Sequence, residues 1–275
     1  MKPTIFIAIL ALFCAPYSAV AQSKVETSKK ELSGGSSSSS GNTATSRKSS
    51  DEDGDDDADP ENVSLFVDIT LGIFRYGLIG KYSTEDHLYN NLSAYPYCTE
   101  LTGNFDEVEP ETKYRFRVDV KDNFLYRNSD LFANHLAVKV RPHHAFHLDA
   151  DYYHIFEQQT ATGNHDLALY YFNFGYDRLR MAQLNLGWTI GMSYVGSGVD
   201  RGGFSFGFNG EMFLPANISL LASTKWSWIN SKPVHAYDLG VRYHIKRFFV
   251  NGGFEKQVIA SQHYNFLSLG GGVYF

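Results

Sequence analysis

The chain has 275 residues with a formal charge of −6, and it is rich in aromatics, with 18 Tyr and 21 Phe. Eight acids fall within residues 51–61; without them the −6 becomes +2, so the chain carries no basic field of the kind that binds nucleic acid. No segment supplies the roughly 20 apolar residues of a spanning helix, apart from a shorter N-terminal run.

Residues 1–21 read as a secretory signal. Lys2 gives a basic start, Ile5 to Ala15 an apolar core, and Ala19-Val20-Ala21 a small-x-small cleavage site. After cleavage only Cys98 remains, so the exported chain carries no disulfide framework. Residues 22–62 are a Ser/Gly/Asp-rich segment whose composition cannot bury a core, and they are expected to be disordered and periplasmic. The acidic run from Asp51 to Asp59 resembles a calcium loop in its closely spaced Asp and its Gly. It lacks the downstream bidentate Glu, which leaves a solvated acidic linker as the plainer reading.

From residue 63 the pattern changes to alternation with a period of two, the signature of strands with one apolar face. Leu65, Val67, Ile69, Leu71 and Ile73 open it. Residues 84–111 are the longest non-repetitive stretch, with Asn90-Asn91, Pro96 and Pro110. Val118 and Val120 then alternate with Arg117, Asp119 and Lys121; Leu136, Val138 and Val140 with His135, Lys139 and Arg141; and Phe146, Leu148 and Tyr152 with His147, Asp149 and Asp151. Residues 166–178 are strand-like but aromatic on both faces, which predicts a bulge or slip near Asn173 to Gly175. Later segments repeat the alternation, most plainly Leu184 to Val195, where Leu, Trp, Ile, Met and Tyr oppose Asn, Gly, Thr and Ser.

These segments suit the roughly 9–11 residues of a tilted membrane strand. Short connections at Pro142 to His144, Leu179 to Ala182, Pro215-Ala216 and Lys246-Arg247 alternate with longer ones at Gln158 to Asn164, Gly196 to Gly202 and Asn230 to Pro233, so the short set is assigned to the periplasm. Eleven strands are clear. Bacterial barrels have even numbers, so Val63 to Tyr82 is split into a hairpin near Tyr76-Gly77. The predicted fold is all-β, a transmembrane antiparallel up-and-down barrel over residues 63–275 with about twelve strands, ten being the alternative.

The aromatic hairpins and the closing Leu267-Ser268-Leu269-Gly270-Gly271-Gly272-Val273-Tyr274-Phe275 resemble outer-membrane β-barrel proteins of Gram-negative bacteria, and are similar to small barrels of the Bacteroidota. The resemblance implies residence in the outer membrane among its lipids. It also implies that Phe275 serves as the terminal signal read by the barrel assembly machinery.

The chemistry is sparse. No histidine is followed two residues later by serine, the spacing of outer-membrane lipid hydrolases. His147, Asp149 and Asp151 share a strand face and could hold a divalent cation, against the plainer reading of a wet, charged lumen. Lumen-facing charges are expected at Lys113, Arg115, Arg117, Lys139, Arg141, Glu211, Asp238 and Arg242, with the basic set concentrated on two strands. An open pore would then prefer anions weakly. No cofactor is called for. The leading function is a non-enzymatic outer-membrane protein, structural or porin-like, with a narrow or plugged lumen. An accessory envelope or secretion component, with the acidic tail binding a periplasmic protein, is one alternative, and a lipid-acting hydrolase is another.

Overall fold

The computed structural model describes residues 23–34, 80, 89–98, 103–106, 116–159 and 163–275. A short helix, α1 (Lys24–Ser33), comes first, followed by a two-residue pair, β1 (Asn91–Leu92) and β2 (Phe105–Asp106). Ten long strands follow: β3 (Arg117–Asn128), β4 (Leu131–Arg141), β5 (Phe146–Gln159), β6 (Gly163–Arg180), β7 (Leu184–Val195), β8 (Arg201–Leu214), β9 (Ile218–Ile229), β10 (Lys232–Ile245), β11 (Phe248–Ile259) and β12 (Gln262–Tyr274). Each pairs antiparallel with its neighbour, and β12 pairs back onto β3 from Leu267↔Tyr126 to Tyr274↔Asp119, which closes the barrel. The closed ring has ten strands, the lower of the two counts the sequence allows. The Val63 to Tyr82 hairpin needed for twelve lies outside the described residues, as do residues 1–21 and the acidic run at 51–61.

Period-two patterning sorts the side chains. On β7, Asn185, Thr189, Ser193 and Val195 are buried inward, while Leu186, Ile190, Met192 and Tyr194 are exposed outward. On β10, Asp238 and His244 are inward, and Leu239, Val241, Tyr243 and Ile245 outward. The exterior thus carries an apolar band, with polar outward residues such as His154 and Lys256 towards the mouth opposite the chain's last strand end, the reverse of a water-soluble fold.

Three details differ from the sequence reading. First, the connections do not alternate in length. At the mouth where β3 begins and β12 ends, here the terminal mouth, they span 142–145, 181–183, 215–217 and 246–247; at the opposite mouth they span 129–130, 160–162, 196–200, 230–231 and 260–261. Strand pairing runs further into the segments read as loops, and Asn230 and Ser231 both take positive φ, the geometry of a tight type I′ hairpin. Second, no slip occurs at Asn173 to Gly175; the β6–β7 register shifts instead between Asp177 and Leu179. The two-sided apolarity of β6 arises because Leu167, Leu169 and Tyr171 point into an apolar part of the lumen while Phe172 and Phe174 point outward. Third, within the segment expected to be disordered, residues 23–34 form α1 and its cap, and α1 lies across the mouth opposite the terminal one, here the helix mouth.

Close strand approach depends on glycine at particular inward positions. A Cβ at Gly253 would meet the Leu239 carbonyl oxygen at 2.2 Å, whereas one at its outward neighbour Gly252 meets nothing nearer than 3.6 Å. Gly253→Ala should therefore cost about 1–3 kcal/mol, the usual scale of overpacking, while Gly252→Ala stays near neutral. Denaturant unfolding of the detergent-folded barrel, followed by the loss of heat-modifiable migration, measures the difference.

Candidate functional site: the lumen

The lumen has two unlike halves. Near the helix mouth it is apolar: Leu125, Tyr153, Ile155, Leu167, Leu169, Tyr171, Ile229, Val234, Tyr264 and Phe266 form one buried cluster with Val25 and Leu32 of α1. Towards the terminal mouth it is charged. Among the sequence-predicted site residues, Arg117, Lys139, Arg141, Glu211, Asp238 and Arg242 all reach the lumen, and Lys113 and Arg115 lie outside the described residues.

Opposite charges meet in pairs across this half. Lys121 Nζ stands 2.9 Å from Asp238, Lys139 3.5 Å from Asp149, and Arg242 3.1 Å from Glu211. Arg141 is paired with Asp177 and lies 3.6 Å from Asp119. Lys225 of β9 reaches across the barrel to Asp151 of β5. His135 bridges two carboxylates, with Nδ1 2.8 Å from Glu255 and Nε2 3.0 Å from Asp151. Buried charges persist only when paired or hydrated, and this set is paired. Between the pairs is a cavity of about 140 Å3, lined by polar groups such as Asp149, Asp177, Asn185 and Lys225 and by apolar ones such as Ala137, Leu221 and Phe249. That is room for on the order of ten waters.

The predicted cation site does not assemble. His147 is fully buried, 3.4 Å from Asp149 and 3.3 Å from Asp177, but Asp151 is taken by Lys225 and His135. A different trio, His135, Asp238 and Glu255, brings ligand atoms within 4.8 Å of one another. There a cation would have to displace the Lys121 ammonium from Asp238 and the Asn123 amide from Glu255.

A serine–histidine contact is present at the terminal mouth. The Ser219 hydroxyl donates to Glu211 (2.7 Å), so it accepts from His244 Nε2 (2.9 Å), and His244 Nδ1 accepts from Tyr274 (3.2 Å). This proton order is the reverse of that in a histidine base activating a serine nucleophile.

Described residues outside the ten strands bond to both mouths. At the terminal mouth Arg117 donates to the Ser93 carbonyl (3.1 Å) and to Asn104 Oδ1 (2.7 Å), and Arg180 donates to the Tyr89 carbonyl (3.2 Å) and to Asn90 Oδ1 (3.0 Å). Tyr97 donates to the Leu214 carbonyl (2.8 Å), and its phenol is pushed up to about 12 by burial and the nearby Glu211 carboxylate. In the 142–145 turn, burial and the neighbouring His143 and Arg180 hold His144 down to about 4. At the helix mouth Glu157, 7% exposed, accepts from the Ser23 hydroxyl (2.7 Å) and from the Lys24 (3.2 Å) and Val25 (2.8 Å) amides. A carboxylate there satisfies the unpaired amides of the first turn and complements the helix dipole. Asn230 donates to the Leu32 carbonyl at the other end of α1, and Ser28 shares a 2.9 Å hydrogen bond with Tyr264. Glu157, Asp177 and Arg180 were missed in the sequence because their partners are distant in the chain.

No family model matches the sequence, and no curated protein matches it. Among solved structures, the chain is similar to an outer membrane channel from Pseudomonas putida F1, at 9% identity over 58% of this chain and 95% of that one, with a TM-score of 0.38. It is also similar to the outer membrane protein Ail of Yersinia pestis in a phospholipid nanodisc, at 11% identity over 58% of this chain and 98% of that one, with a TM-score of 0.33. The fold assignment stands on the hydrogen-bond ladders of the chain itself.

Asp151→Asn strips the anion from between Lys225 and His135, and should cost about 3–5 kcal/mol, the scale for breaking a buried pair. Equilibrium unfolding in detergent reads this loss, and a change below 0.5 kcal/mol would show that the pairing is solvent-screened. Glu157→Ala orphans the first amides of α1 at about 1–3 kcal/mol. Limited trypsin digestion should then cut at Lys24, Lys29 or Lys30 at least tenfold faster than in the parent protein.

Proposed function

We propose that the chain is an integral outer-membrane barrel with a closed lumen, acting as a structural envelope protein rather than as an open diffusion pore. One observation carries the reading: the side chains are sorted inside out. Leu267 and Leu269 are 67% and 68% exposed on the outer wall, while Arg117, Asp177 and Glu255 are at most 1% exposed inside. A bilayer is the solvent that suits such a wall, and a closed barrel leaves no strand edge unpaired in lipid.

Closure of the lumen supports the structural role over the porin-like one. Helix α1 covers one mouth and residues 89–98 and 103–106 the other, and the charged half between them is cross-linked by ion pairs. Among the described residues the charges reaching the lumen are matched in sign, which argues against a surplus that would attract anions. The exposure of Phe275, 66% at the terminal mouth with its amide donating to the Val118 carbonyl (2.9 Å), supports reading it as the terminal signal for the barrel assembly machinery.

Two measurements test the reading. The protein should fractionate with the outer membrane as a heat-modifiable band, and in planar bilayers it should show no steady conductance. Recovery in the soluble periplasmic fraction refutes the membrane assignment, and a stable open channel refutes closure.

A further inference from the structure

The outer wall of β9 to β12 changes character towards the helix mouth. Nearer the terminal mouth it is bare hydrocarbon, with Leu239, Val250, Phe254, Leu267 and Leu269 all exposed. Beyond Phe254 and Leu267 the next outward pair is Lys256 opposite Asn265, and after Asn265 comes His263. Tyr237 stands on the other side of Lys256, with His235 as the next outward residue of its strand. His235 Nδ1 accepts the Ser227 amide (3.4 Å), which puts the proton of the neutral ring on Nε2, as a donor. At the rim above, Arg127 and Lys24 of α1 both donate to the His263 carbonyl (3.3 and 3.4 Å). Two cations on one neutral acceptor repel each other, and an anion beside them relieves it. Burial and Arg127 hold the Lys24 ammonium below its usual range, against the pull of Glu157. Carboxylates are missing from this face. The two on β9 to β12, Asp238 and Glu255, both point inward, and among the described residues Lys256 has no ion-pair partner. Glu31 of α1 is bonded to Ser261 at the hairpin tip.

We propose that this face binds one membrane lipid through its phosphate, with the lipid's chains lying down the apolar wall below. The inference rests on the membrane reading given above. A surface that offers donors and no acceptor charge selects an anion, and in a bilayer the anion at this depth is a lipid phosphate. Outward residues directly opposite one another stand about 4.5–5.5 Å apart at Cβ, and diagonal ones about 7–8 Å, so Lys256, Asn265 and His263 can converge on one tetrahedral group. Trp226 donates from Nε1 to the Tyr237 hydroxyl (3.1 Å), an aromatic pair of the kind that marks head-group level. Below the donors, the outward Gly252 and Gly271 carry no side chains and leave a shallow channel beside Leu269. The opposite side of the same rim is different. There Asp122 is bonded to Asn134 (2.7 Å) and Asp166 to His154 (3.1 Å), so that side carries acceptors already matched to donors. The unmatched donors therefore form a one-sided site and not a uniform girdle.

The test is native mass spectrometry of the detergent-folded full chain with dioleoyl phosphatidic acid, dioleoylglycerol or inorganic phosphate. One phosphatidic acid should stay bound, while dioleoylglycerol, with the same chains and no phosphate, should not. Lys256→Gln, with its barrel confirmed by heat-modifiable migration, should bind phosphatidic acid roughly tenfold more weakly, the scale of one charge-assisted hydrogen bond. Lys256→Arg keeps the cation and should retain the lipid. Arg247→Gln removes an exposed cation at the opposite mouth and should change nothing. Equal retention of the two lipids, a Lys256→Gln variant that binds as the native chain does, or an equal loss in Lys256→Arg or Arg247→Gln overturns the proposal. Displacement of the lipid by an equal concentration of inorganic phosphate also overturns it, since the site would then take the free ion. Absence of the chain from the envelope would instead sink the membrane reading, whereas an envelope-bound barrel without lipid preference sinks the lipid site alone.

Discussion

The fold depends on the seam between β12 and β3. Eight residue pairs, from Leu267↔Tyr126 to Tyr274↔Asp119, join the last strand to the first long one and convert an open sheet into a ring. Without that ladder, two strands would present unpaired amides and carbonyls, a cost no hydrocarbon environment relieves. Closure also fixes which side of every strand is inside. One register choice at the seam therefore decides that Leu269 faces out while Ser268 and Gly270 face in. It also puts Asn123, beside the seam, within 2.9 Å of Glu255 two strands away.

The inside that results is asymmetric. Outer-membrane barrels of ordinary kind have a polar interior, yet half of this lumen is lined by aliphatic and aromatic groups. Helix α1 accounts for it. An isolated ten-residue helix is marginal in water, and α1 offers only Val25 and Leu32 as apolar anchors. It is ordered by what receives it: an apolar floor, a carboxylate at its N-terminus and the Asn230 amide at its C-terminus. The other half of the lumen needs no such element, because its own charges are paired. Two kinds of contact thus sit in one barrel, a docked helix at one mouth and guanidinium-clamped backbone at the other.

How much of this was legible in the sequence follows from the range of each interaction. The outward and inward faces of β7 and β10 could be read residue by residue, because a strand's period is local and a bilayer demands long runs of it. The lumen set from Arg117 to Arg242 was legible for the same reason. Partners were not: Lys225 and Asp151 are 74 positions apart and meet only because β9 and β5 face each other across a ten-strand ring. The predicted His147, Asp149 and Asp151 site failed on that point, since strand parity puts side chains on a face but cannot say which wall they meet. Helix α1 hid in a segment whose composition looked incapable of structure, because its stability resides in the barrel and not in its own residues. The apparent bulge at Asn173 was the shadow of that same helix, an inward apolar lining without a visible reason.

The central claim is that the greasy faces of these strands meet lipid while their polar faces line the barrel interior. It is tested most directly by the β7 neighbours Met192 and Ser193, one outward at 60% exposure and one buried at 1%. In a Cys98→Ser background, a bimane label on Met192→Cys should be strongly quenched by lipids brominated along their tails, and a label on Ser193→Cys should not. Equal quenching at both positions, or quenching at Ser193 alone, would contradict the account.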